Sequence, residues 1–125
     1  MSTPRTVTLT TADRGPVTIP EPAWCQGHAH HDPHTEYVDI THSSPDIALN
    51  FRHTVLLTAG LVQAPHGTSP AEGMDGPTPG VSVFPLGDTL GPAQLYDLAG
   101  RLDAFTDQLR GLADQLTAIL GGEGR

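Results

Sequence analysis

Pro92-Ala-Gln-Leu95-Tyr-Asp-Leu98-Ala-Gly-Arg-Leu102-Asp-Ala-Phe105-Thr-Asp-Gln-Leu109-Arg-Gly-Leu112-Ala-Asp-Gln-Leu116-Thr-Ala-Ile119-Leu120 is the stretch that decides the fold class. Its large apolar residues recur at alternating spacings of three and four, the period of one face of an α-helix. Pro92 suits the first helical position, Gly91 or Thr89 precedes it, and Gly121-Gly122 supplies a stop. The helix predicted over 92–120 is about 43 Å long at 1.5 Å per residue. Ala99, Thr106, Ala113 and Leu120 widen the stripe, as in a helix laid on a sheet, while the three-four spacing also suits a left-handed helix pair. Gly100 and Gly111 each cost about 1 kcal/mol against Ala. The pairs Asp97/Arg101 and Arg110/Asp114 offset little of that, so packing must hold the helix.

Working back from Pro92, the sequence turns to strands. Arg5 to Thr11 alternates Val7 and Leu9 with threonines, the period of a half-buried strand. Gly15-Pro16 punctuates it, and Val17 to Ile19 reads as a short return strand ended by Pro20 and Pro22. Glu36 to Ile40 is a short strand candidate. Asp46 to Thr58 reads as a longer strand with Ile47, Leu49, Phe51, Val55 and Leu57 on one face and His53 among them. A hairpin is expected at Ala59-Gly60, leading into Leu61 to Gln63. Residues 64–80 show no apolar period and read as a mobile surface loop around a solvated His66, and Val81 to Phe84 resumes a strand. The expected fold is α+β: one domain over 1–125, with an antiparallel sheet of four to five short strands and one long C-terminal helix packed on it.

The 125 residues suit one core, but 14 Gly and 12 Pro leave room for long irregular connections, so a metal clip would add useful stability. Acidic residues outnumber basic ones by 14 to 6, for a formal charge of −8. There is no Lys. Such a chain is repelled by phosphate backbones and anionic lipid, which argues against direct nucleic-acid or membrane binding. A single cysteine cannot form an internal disulfide, and the chain start lacks the apolar core of a secretory signal; a soluble cytoplasmic protein is expected.

Between the two strand regions lies Trp24-Cys-Gln-Gly-His-Ala-His-His-Asp-Pro-His34, followed by His42. Closed zinc sites use four sulfur and imidazole donors in a tetrahedron, and Cys-x-x-His lets one tight turn present two of them. Cys25 and His28 form the leading pair, with Gly27 freeing the turn. His42 is the next choice because it would tie a second element to the loop, and His34 is the fourth, with His30 close behind. Zinc is thus predicted at Cys25, His28, His34 and His42 in a cassette loop over 22–42. Trp24 would shield the site, and Asp32, Glu36 or Asp39 would either orient the imidazoles or stay exposed. His28-Ala-His30 followed by Glu36 resembles the first metal motif of cupin barrels, but its last spacing is one residue too long and no second motif follows.

Pro22-Ala-Trp-Cys25-Gln-Gly-His28, a further His, and the Leu-Gly-Pro-Ala-Gln-Leu-Tyr-Asp-Leu-Ala helix start resemble an actinobacterial family of small domains of unknown function. Members of that family carry a Pro-x-Trp-Cys…His motif after an N-terminal strand and a C-terminal helix opening with Leu-x-Pro. The resemblance implies a host and a motif, and no mechanism. Taken with the residues, it leaves a non-enzymatic, zinc-stabilised interaction or regulatory protein, forming a homodimer through the helix, as the preferred expectation. A small metalloenzyme with an open His-rich site and an acidic decoy for a DNA-binding protein are the alternatives.

Overall fold

A computed structural model of the chain describes residues 5–68 and 76–121, so part of the loop expected over 64–80 lies outside the described residues. The architecture is α+β and falls into two compact units: among the described residues every strand lies in the first, up to Gly91, and a long helix makes up the second, from Pro92 on. No helix among the described residues is long and apolar enough to cross a membrane.

The first unit opens with a hairpin of β1 (Arg5–Thr11) and β2 (Gly15–Glu21). The turn is stapled by Thr11, whose hydroxyl donates to the Gly15 carbonyl (2.8 Å) and accepts from the Arg14 amide (3.0 Å). Gly15 adopts φ 64°, the left-handed conformation that closes such three-residue loops. Strand β2 is longer than the three residues expected and runs through both Pro16 and Pro20. Those prolines share one parity and stand opposite Thr10 and Thr6. No third strand pairs with β2 among the described residues, so prolines directed at that edge remove no ladder bond. The opposite parity turns inward: Leu9 and Ile19 pack with Ile40 in a small core, flanked by Val7, Val17 and Tyr37.

The chain then crosses an irregular stretch to Ile40. Tyr37–Asp39 forms one turn of 3-10 helix where a strand was expected. The reason is local: the Tyr37 amide is held by the Asp13 carboxylate (2.9 Å), and Ala12 donates to the Thr35 carbonyl (2.9 Å). These bonds tie the stretch to the hairpin turn and leave no partner strand for it.

Strands β3 (His42–Ser43), β4 (Ile47–Phe51), β5 (Thr54–Gln63), β6 (Gly80–Phe84) and β7 (Asp88–Leu90) make a five-stranded antiparallel sheet. β3 and β4 lie end to end along one side of β5, β6 along the other, and β7 beyond β6. The single strand expected over 46–58 is instead a hairpin turning at Arg52-His53, with Arg52 at φ 59° and His53 exposed at the tip. The alternation hides this break. A two-residue turn reverses the parity, and the register shift opposite Leu49/Asn50, where Leu56 is the extra residue, restores it. Ala59-Gly60, the expected turn, lies in mid-strand opposite Val83 and Ser82. Gly60 serves close approach, because a Cβ there would collide with the Asp46 carboxylate. The turn into β7, a strand the sequence reading missed, uses Gly87 at φ 83°, whose amide donates to the Val83 carbonyl (2.8 Å).

The second unit is α1 (Pro92–Leu120), with the bounds read from the sequence. Arg101 pairs with Asp97 as expected (3.2 Å), whereas Arg110 takes Asp107 (3.0 Å) in place of Asp114. Both pairs are exposed and contribute little.

Candidate metal centre

The β1–β2 hairpin delivers the first functional side chain. Along β2 the inward parity runs Val17, Ile19, Glu21, so a carboxylate occupies the position where the alternation would place a third core residue. Directly after it the chain reverses: the Cys25 amide donates to the Pro22 carbonyl (3.0 Å), and the Arg5 guanidinium holds the Pro22 and Cys25 carbonyls at 3.1 and 3.0 Å. Gly27 takes φ 103°, open to glycine, and brings His28 back beside Cys25. The fourth side chain, His42, comes from β3, which the Gln26 amide joins by donating to the Ser43 carbonyl (2.9 Å).

Glu21, Cys25, His28 and His42 each offer one donor atom, and the four atoms lie within 4.8 Å of one another. Glu21 Oε1 is 2.7 Å from His28 Nε2 and 3.1 Å from His42 Nδ1, and Cys25 Sγ is 3.6 Å from His28 Nε2. The group is enclosed: Glu21 is 9% exposed, Cys25 5% and His42 1%. Trp24 stands edge-on to the His42 ring at 6.3 Å.

Burial pushes the Cys25 thiol up, and the neighbouring Glu21 adds to this, while the backbone amides of Gly27 and Ser43 pull the other way. Burial also raises the Glu21 carboxyl, but hydrogen bonds from Cys25 and His28 and the charges of His28 and His42 outweigh it and leave the group below its ordinary value. Burial holds His42 down, against the pull of the Glu21 charge. Protons alone serve this cluster poorly. His42 Nδ1 is buried and close to Oε1, yet the two are not aligned as a hydrogen bond, so its polar atom has no partner. A dication would meet a thiolate, a carboxylate and two neutral imidazoles at net zero charge and would use that nitrogen. The donor set therefore fits a metal ion.

A family model described as a domain of unknown function, DUF6907, matches residues 6–118. The chain belongs to the DUF6907 family. The match runs from the first hairpin nearly to the end of α1, so it takes in both units of this DUF6907 member and all four clustered side chains. No curated protein and no solved structure matches the chain.

Of the sequence-predicted ligands, the structure brings Cys25, His28 and His42 together and adds Glu21. His34 lies elsewhere, its ring 90% exposed beside Asp32. His30 is exposed. His31 donates from Nε2 to the Thr10 carbonyl (2.8 Å) and so fastens the loop to β1. Asp32 accepts the His34 amide, and neither it nor Glu36 or Asp39 belongs to the cluster. Glu21 was missed because the strand was ended before it. Its signal was the alternation itself, which carries an acid into an inward position. His66 is not solvated: its ring stacks on Tyr37 at 4.1 Å, with Arg14 4.0 Å from the same Tyr37 ring, and burial followed by the Arg14 charge lowers its pKa.

Proposed function

We propose that this DUF6907 protein is a non-enzymatic interaction module whose N-terminal unit is held together by a zinc ion at Glu21, Cys25, His28 and His42. The observation that carries the reading is the convergence of four donor atoms within 4.8 Å of one another, on residues that are buried or half-buried. One sulfur, two imidazoles and a carboxylate favour zinc over magnesium or calcium, which prefer all-oxygen sites. Four protein donors fill a tetrahedron, whereas catalytic zinc sites keep one position for water or substrate. The donors also span the architecture: Glu21 belongs to the two-stranded sheet, His42 to the five-stranded one, and Cys25 and His28 to the loop between them.

The interaction role rests on α1. Among the described residues of its own unit nothing covers the stripe from Leu95 to Ile119, and the three-four spacing fits a second copy of the same helix, making a homodimer. A cytoplasmic setting agrees with one reduced, metal-bound cysteine.

Elemental analysis of protein purified without added metal tests the reading. One zinc per chain, retained on dialysis and lost together with the melting temperature on chelation, is the expected result. Protein that carries no metal and melts at the same temperature with or without chelator overturns it.

A further inference from the structure

We infer that the outer edge of β4 is a second self-association surface, on which another copy of the chain pairs antiparallel about Leu49. Strand β4 hydrogen-bonds to β5 on one side, and no strand among the described residues lies on the other. Natural edges of this kind are guarded by Lys, Pro or inward charges. Ile47-Ala-Leu-Asn-Phe51 has none of these, and Ile47, Leu49 and Phe51 are 76, 55 and 62% exposed.

The sequence names the occupant. In an antiparallel pair centred on Leu49, each residue meets the one equally far on the other side: Leu49 meets Leu49, Ile47 meets Phe51, and Ala48 meets Asn50. Just beyond the strand, Asp46, whose carboxylate leans over Gly60 of β5, comes into register with the long side chain of Arg52. The apolar residues thus stack across the seam on one face, and each end brings an acid to a base. A guarded edge would set like charges against a copy of itself; this one sets opposite charges, in a chain whose −8 overall charge disfavours indiscriminate association. Five residues of edge make a small contact, in the weak class below about 1,200 Å2. A chain with this surface and the α1 stripe has two self-complementary faces, so its full assembly exceeds a dimer.

Light scattering over a concentration series on the full chain tests the inference, independently of metal content. L109E/L116E disables the helix stripe and is expected still to dimerise. Adding L49K should bring it to a monomer throughout the series. In the same helix-disabled background R52E should weaken the dimer about tenfold and R52K should not. An L109E/L116E protein that is monomeric at every concentration, or one whose mass L49K leaves unchanged, overturns the inference. Should L49K lose its fold by circular dichroism, amide exchange of the L109E/L116E protein decides. Slower exchange in β4 at higher concentration supports edge pairing, and unchanged exchange refutes it.

Discussion

Glu21 shows how much one residue's register can carry. A buried carboxylate costs several kcal/mol unless charge and hydrogen bonds compensate it, so its place behind Val17 and Ile19 needs a partner, and the partner proposed is a cation. Glu21→Gln keeps the shape and removes the charge; zinc affinity, measured by competition with a chromogenic chelator, should fall at least tenfold. His34→Ala should leave it unchanged, because that ring is exposed beside Asp32. Protons give a second test on metal-free protein. The pKa values of His42 and His66 are held below their ordinary 6.5, so as pH falls through that value the unfolded chain takes up protons first and stability drops. The Cys25 pKa is held above its ordinary 9.0, so as pH rises past that value the unfolded chain loses its proton first and stability drops again. Glu21, lowered from 4.5, steepens the acid side further. Thermal melts of the apo protein should therefore show a plateau between about pH 6.5 and 9.0. The alkaline fall should vanish once metal has already displaced the thiol proton.

Among the elements, some were legible in sequence and others were not, for identifiable reasons. The bounds of α1 could be read because its apolar spacing, Pro92 and the closing glycines all agree. Strand β1 was legible from its alternating threonines. Arg52-His53 contains no turn residue, and the bulge at Leu56 repairs the alternation, so the β4–β5 hairpin read as one strand. Gly60 invited a turn but answers to the Asp46 side chain, which no local pattern reveals. In the same way Cys25, His28 and His42 stood out by residue type, whereas Glu21 is an ordinary acid until its strand is drawn to full length. Two substitutions test the element-level account. A Cβ at Gly100 or Gly111 meets nothing within 4 Å, so Gly100→Ala with Gly111→Ala should stabilise α1 by about 1 kcal/mol each and raise its helical signal on heating. Ile40 is 1% exposed where the irregular stretch meets the hairpin core, and Ile40→Ala should cost about 3 kcal/mol by denaturant titration.

For the whole molecule, the small core gives the proposed metal its weight. Among the described residues only Leu9, Ile19 and Ile40 form the hairpin's buried cluster, and the cation proposed beside them would link that hairpin to the five-stranded sheet through Glu21 and His42. Chelation should therefore do more than empty a site: tryptic cleavage at Arg5 and Arg14 should quicken while far-ultraviolet dichroism from α1 changes little. Equal loss of both signals would show that the two units melt together. There is also a consequence for biosynthesis. All four donors fall between residues 21 and 42, ahead of β4 and β5 in the chain. A nascent chain exposes the complete ligand set before β5 has left the ribosomal exit tunnel, so capture of the proposed ion could close the hairpin and its loop while the remaining strands are still emerging.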